Sequence, residues 1–136
     1  MFRAVLTGLL LIASSSVLAL QFPVEMIEGV EGARVVVNIN KEDLDKEVRW
    51  TPFESAPPVT VTDALGIVRT HLAKNPTLKD ATLQEIQLRR IPHHENNWHY
   101  MVMVQTMREG NPVLHYYVVL MSGKLFTAIR EPESYK

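Results

Sequence analysis

Apolar and polar positions alternate along the last third of the chain, which is the period of a half-buried β-strand. Pro92 ends the first alternating run, because proline lacks the N–H that a strand ladder needs. Gly110 and Gly123 lie in turn segments, where glycine can adopt a positive φ. A four-stranded antiparallel meander is therefore predicted, with strands over residues 83–91, 98–107, 113–121 and 125–130.

An amphipathic helix is predicted immediately before this meander. Thr60 or Thr62 can accept the backbone donors at its start, Asp63 lies favourably in its first turn, and Asn75-Pro76 ends it. Its apolar positions form one helical stripe: Val61, Ala64, Leu65, Val68 and Leu72. Because such a stripe must be buried, the predicted fold class is α+β, with one helix packed on one face of the sheet.

The segment before the helix is acidic and irregular. Between Glu25 and Glu54 there are eight acidic residues against four basic ones, and the strong strand signal is the β-branched run over residues 34–39. Prolines between Trp50 and Pro58 are incompatible with a helix there. The sheet is expected to have four strands, or five if the 34–39 strand joins it.

The amino end has the order of a secretory signal peptide. Arg3 precedes an uncharged apolar run, and Val17 and Ala19 fit the small-residue positions of a cleavage site before Leu20. A retained anchor helix is the alternative, since residues 4–20 approach the length that spans a bilayer. The predicted organisation is a signal peptide over residues 1–19, an acidic segment with one strand and a proline-rich connector over 20–58, and an α+β domain over 59–136.

Charge and cysteine content narrow the compartment and the partners. Lysine plus arginine number 14 and aspartate plus glutamate 15, so the cationic excess that nucleic-acid binding requires is missing. The sequence has no cysteine, which excludes disulfides and a lipoprotein anchor. A periplasmic or secreted protein is expected, with no stable membrane anchor once the signal is cleaved.

The two faces of the central hairpin follow from an assumed register. If the strands pair symmetrically about Gly110, Val102 faces Val118 and Val104 faces Tyr116. The face expected to receive the helix is almost wholly apolar and carries Tyr100, Val102, Val104, Leu114, Tyr116, Val118 and Leu120. The second face carries His99, Met101, Met103, Gln105, Met107, Val113, His115, Tyr117, Val119 and Met121.

Three explanations are open for the second face, which is too apolar to be fully solvated. The amino-terminal segment covers it through Val35, Val37, Trp50 or Phe53, with methionine filling irregular gaps. Alternatively, it is a partner or homodimer surface. In the third explanation it binds Cu(I), which prefers thioether and imidazole ligands. The ligands of that copper site would be His99, Met101, Met103 and Met121.

Other candidate sites are weaker. His93 and His94 open a polar segment that ends at His99, and a segment of this composition is usually a solvated hairpin tip; a zinc or copper site is the alternative. Asp63 and His71 lie about two helical turns apart, too far to form a dyad, and His71 is expected on the helix surface. No serine lies in a G-x-S-x-G elbow, so neither catalytic residues nor a cofactor are predicted.

The helix and meander resemble small exported domains of the PepSY type, within the broader cystatin-like group. The resemblance rests on Val-Thr-Asp-Ala-Leu at 61–65, Tyr-x-Val-x-Val at 100–104 and the strand, glycine turn and strand at 117–125, and it covers roughly the last 75 residues. The loop of inhibitory cystatins is missing at 105–109, so protease inhibition is not implied. The resemblance implies a non-enzymatic binding or regulatory module in the cell envelope.

The predicted function is therefore an exported, non-catalytic module that binds a protein or peptide partner, or a second copy of itself, through a sheet face or an edge strand. The alternative is a copper or zinc carrier, or a small enzyme. That alternative would use the face with His99, Met101 and Met103, or the segment at His93 and His94.

Overall fold

The computed structural model describes residues 24–30, 33–92 and 94–131, so the predicted signal peptide lies outside the described residues. Within these ranges no helix combines the length and the apolar character needed to cross a membrane. The elements are β1 (Val24–Val30), β2 (Ala33–Ile39), α1 (Lys41–Asp45), α2 (Val61–Ala73), β3 (Thr82–Ile91), β4 (His94–Arg108), β5 (Asn111–Leu120) and β6 (Leu125–Glu131).

The strands form one antiparallel sheet in the order β1-β2-β6-β5-β4-β3, with α2 against it, which confirms the α+β class. The predicted meander corresponds to β3 through β6, and β2 joins it beside β6 as the fifth strand. The sixth strand, β1, was not predicted. Its sequence places Met26 beside Ile27 and so breaks the alternation of a strand, and pairing with the neighbouring β2 holds it in the sheet.

Helix α2 begins with a capping box. The Asp63 amide donates to the Thr60 hydroxyl oxygen at 3.1 Å, and the Thr60 amide donates to Asp63 Oδ2 at 3.0 Å. Two of the backbone donors that a helix start leaves unbonded are thereby satisfied. Ala64, Val68 and Leu72 are buried as the stripe predicts, whereas Val61 in the first turn is exposed.

The register of the β4–β5 hairpin differs by one residue from the prediction. Arg108 pairs with Asn111, so the loop is the two-residue turn Glu109-Gly110, and Val102 faces Tyr117 instead of Val118. Both loop residues have positive φ, 52° and 80°, the pattern of a type I′ turn. The assumed symmetry about Gly110 implies an odd-numbered loop, and a two-residue loop moves every β5 side chain to the opposite face.

The helix-side core therefore combines even positions of β4 with odd positions of β5. Tyr100, Val102 and Val104 lie on this side as predicted. From β5, however, Tyr117 and Val119 lie here, where the prediction placed Tyr116 and Val118. The buried members of the helix-side core are Trp50, Val59, Ala64, Val68, Leu72, Tyr100, Val102, Val104, Tyr117, Val119 and Met121.

Residues of β2 and α1 cover the opposite face of strands β4 and β5. Val35 and Val37 pack there with the two strand methionines, as the first of the three explanations requires. Trp50 belongs to the helix-side core and Phe53 is fully exposed, so these two do not contribute to the cover. The buried members of this cover-side core are Val35, Val37, Ile39, Leu44, Ile91, Met101, Met103, Tyr116, Val118, Leu120 and Ala128.

Polar contacts hold the cover against the sheet. Lys124 Nζ lies 2.8 Å from both carboxylate oxygens of Asp43 in α1, and it also lies 5.4 Å from the ring centre of Phe126. The Ser122 amide donates to Glu47 Oε1 at 3.2 Å. These bonds join α1 and the chain after it to the β5–β6 turn.

Candidate functional site

Strand β3 lies at one edge of the sheet. It pairs with β4 alone among the described residues, so one side of its backbone has no strand partner. We call this side the β3 edge. Irregularities in the pairing occur between Leu83 and Glu85 and between Arg90 and Ile91. Such bulges limit uncontrolled edge-to-edge association, while the regular stretch between them keeps the spacing that an added strand needs.

A groove runs beside β3, between the strand and helix α2. Its volume is about 470 Å³, and its lining is mainly aliphatic. Val102 and Val104 of β4 form its floor, because these even positions face the helix. The walls of this α2–β3 groove carry Leu65, Arg69, Leu72, Lys79, Ala81 and Leu83.

The charge on the groove has one sign. Arg69 on α2 and Lys79 before β3 contribute the only charged side chains among the described residues that line it. Leu83 is 48% exposed on the strand side, so an apolar side chain is available at the surface of the groove. The arrangement can accept an apolar side chain and, at its rim, a carboxylate.

The copper ligands predicted on the second face are not brought together. Met101 and Met103 lie in the cover-side core, but Met121 lies in the helix-side core, on the other face of the sheet. His99 is fully buried. Met121 is separated from Met101 and Met103 because β5 and the residue after it are shifted by one position relative to β4, compared with the predicted register.

The predicted histidine segment is only partly within the described residues. His93 lies outside them, and His94 lines a polar cleft of about 280 Å³ with Glu47, Arg49 and Asn96. Within the described ranges, no group of three or more His, Cys, Asp or Glu side chains is arranged to hold a metal ion. The geometry of this part of the chain therefore does not assemble the metal site that the sequence suggested.

Glu47 is a buried carboxyl group that the sequence did not single out. Burial raises its pKa above the ordinary value, and this outweighs the opposite effects of hydrogen bonds from Met121 and Ser122 and of the charge on His99. Its role is structural in the first instance, since its Oε1 accepts the Ser122 amide of the β5–β6 turn. Ser122 therefore contributes a backbone hydrogen bond that ties the β5–β6 turn to Glu47.

Sequence reasoning proposed an edge strand or a sheet face as the binding surface but did not identify the groove residues. The sequence pattern predicts a strand at Leu83 and gives no signal at Arg69. The distance between helix and strand that opens the groove depends on tertiary packing, which a local sequence pattern does not indicate.

No family model matches this sequence, and no curated protein and no solved structure matches it either.

Proposed function

We propose that this protein is an exported, non-catalytic binding module of the cell envelope that takes up an extended peptide along the β3 edge. The observation that carries the proposal is the position of the α2–β3 groove directly beside that edge. A peptide that pairs with an edge strand gains affinity from main-chain hydrogen bonds. It gains specificity from alternate side chains that enter pockets on one face.

The chemistry of the groove defines the peptide. An aliphatic floor and walls favour an apolar anchor residue, and Arg69 and Lys79 favour a nearby acidic residue or a carboxyl terminus. A matching peptide is extended, with one apolar side chain directed into the groove and a carboxylate beside it.

The order of helix and meander supports the proposed place of the chain in the PepSY-type, cystatin-like group. Residues 1–19 support export, through the signal-like order of charge, apolar run and small residues. Within this proposal, β2 and β1 add to the meander on the side away from β3, so these two strands do not occupy the binding edge.

A random decapeptide library, selected against the full chain, tests the proposal. Selected peptides should be enriched in an apolar residue close to an acidic one. Leu83→Asp should weaken their binding at least about tenfold, because a carboxylate at the groove repels the peptide's acid and removes the apolar contact. Ile129→Asp is the matched control, since Ile129 is also an exposed strand residue, on β6.

Amide exchange locates the bound peptide independently of any variant. New protection should appear in β3, where added main-chain hydrogen bonds would form. Protection confined to other strands, or equal weakening by Leu83→Asp and Ile129→Asp, would overturn the proposal. Concentration-dependent dimers that bury β3 and exclude peptides would assign this edge to a second copy of the chain instead.

A further inference from the structure

A second cleft lies on the helix side of the sheet, beyond the end of α2. The helix stops at Ala73, whereas β4 and β5 continue to their turn, so the sheet extends past the helix. The cleft between them has a volume of about 630 Å³, within the range of small-molecule sites. It is separate from the α2–β3 groove, with which it shares none of its lining residues.

The lining of this cleft is rich in hydrogen-bond donors. His71 and Asn75 contribute from the end of α2 and the turn after it, and Arg108, His115 and Tyr117 contribute from the hairpin. No aspartate or glutamate is among the described residues that line it. A ligand that accepts hydrogen bonds and carries negative charge fits this set.

Neighbouring contacts orient two of the donors. The Thr106 hydroxyl oxygen lies 2.8 Å from Nε2 of His115. The His71 ring packs edge to face on the Tyr117 ring, with 5.2 Å between ring centres, so His71 is held against the sheet instead of lying on the open helix surface as predicted. The Tyr117 ring is buried and forms an apolar surface at the back of the cleft.

Two backbone carbonyl groups at the C-terminal end of α2 accept hydrogen bonds beside this cleft. The Lys74 amide donates to the His71 carbonyl, and the Asn75 amide donates to the Leu72 carbonyl, each at 3.2 Å. The Asn75 side-chain oxygen accepts bonds from the amide and the hydroxyl of Thr77. The His71 and Leu72 carbonyls and the Asn75 side-chain oxygen are therefore already engaged, and the side-chain donors determine what the cleft attracts.

We infer that this cleft is a binding site for a small organic oxyanion, with the oxyanion at Arg108 and His115 and an apolar or aromatic body against Tyr117. The site arises from the two-residue turn, because the shift in register moves His115 and Tyr117 together to the face that carries Thr106. Burial and the nearby Arg108 lower the pKa of His115 below 6.5, so an anion that neutralises Arg108 also favours protonation of this ring. Binding of an oxyanion whose own charge stays constant is therefore expected to strengthen as the pH falls. His71 and Tyr117 are the other titratable groups that line the cleft beside Arg108 and His115.

Phenyl phosphate, titrated against the full chain by calorimetry at constant ionic strength, is the probe for this site. Saturable binding is expected, and Arg108→Gln should weaken it about tenfold to a hundredfold through loss of a charge-assisted hydrogen bond. Arg130→Gln is the matched control: Arg130 is an exposed strand arginine on the opposite face of the sheet, and it should leave the affinity unchanged. Benzyl alcohol, which has the ring without the oxyanion, should bind at least about tenfold more weakly.

Proton NMR of the imidazole groups in the unaltered chain provides a readout that does not depend on variant folding. Phenyl phosphate should shift the His71 and His115 signals and leave those of His94 and His99 in place. No saturable binding in the millimolar range would overturn the inference. Equal effects of Arg108→Gln and Arg130→Gln, or equal affinity for benzyl alcohol, would do the same. Peptide binding at the β3 edge is measured separately, so either proposal can be rejected without affecting the other.

Discussion

The Tyr100 hydroxyl donates a 2.7 Å hydrogen bond to the backbone carbonyl of Val59, 41 residues earlier in the chain. Both residues are buried in the helix-side core. The bond joins β4 to the connector immediately before α2, so it sets the position at which the helix begins over the sheet. Burial and the charge on Asp63 raise the pKa of Tyr100, which further favours the protonated phenol that donates this bond.

Tyr100→Phe should lower the free energy of unfolding by about 1–2 kcal/mol, because it leaves the buried Val59 carbonyl without its donor. Urea denaturation measures this change. Tyr117→Phe makes the same substitution in the neighbouring strand, where no comparable bond to the described backbone is formed, and should change the free energy by less than about 0.5 kcal/mol. A smaller effect at Tyr100 than at Tyr117 would contradict the proposed role of the bond.

Thr60→Ala should lower stability by about 1 kcal/mol, since it removes the side-chain acceptor of the Asp63 amide at the start of α2. Thr62→Ala lies two residues further along, inside the helix, and should be neutral or slightly stabilising because alanine has the higher helix propensity. Thermal denaturation followed by circular dichroism compares the two. Equal destabilisation by both variants would contradict a specific capping effect at Thr60.

Gly110→Ala should destabilise the protein by about 1–2 kcal/mol, because φ is 80° at this position and a Cβ atom disfavours that conformation. Glu109→Asn should have the opposite sign, since asparagine tolerates the positive φ that Glu109 adopts and is preferred at the first position of a type I′ turn. Chemical denaturation of both variants tests the turn. Stabilisation by Gly110→Ala would be incompatible with the two-residue loop.

The stability contributed by Glu47 should decrease as the pH rises. Its folded-state pKa is raised from 4.5, so the folded chain binds this proton more tightly than the unfolded chain. The contribution is therefore complete below pH 4.5 and is lost as the pH rises through the folded-state pKa. Unfolding free energies of the wild type and Glu47→Gln, compared across this range, isolate the effect.

Glu42→Gln is the control for that comparison, because it changes an exposed glutamate of α1 by the same chemistry. The difference in unfolding free energy between the wild type and Glu42→Gln should not decrease with rising pH as it does for Glu47→Gln. A Glu47 contribution that increases with pH would mean that its hydrogen bonds outweigh its burial.

Much of the architecture could be predicted from local patterns. The helix from Thr60, the strand that ends before Pro92 and the turn at Gly123 all follow from propensity, spacing and turn chemistry, which act over a few residues. The register of the central hairpin could not be predicted in this way. Both faces of β4 are buried, so the alternation that normally separates a core face from a solvent face gives no preference there.

The candidate sites were harder to predict for the same reason. His115 and Met121 lie on the face opposite the predicted one, because the loop contains two residues. The α2–β3 groove and the cleft near Arg108 both depend on where the helix ends relative to the sheet. The position of the helix end relative to the sheet depends on packing between distant segments. Single residues such as Arg69 and His71 therefore do not indicate it in the sequence.

The burial of β4 on both faces also bears on how this protein can change during evolution. An insertion or deletion within Tyr100 to Val104 would exchange the residues of the two cores at once, and neither core could adjust alone. Among the residues that the structure describes, strand β3 is paired on one side only, and several of its side chains face water. Substitutions at the exposed positions of β3 can therefore alter binding without repacking a core, whereas substitutions in β4 affect the core on one face or the other.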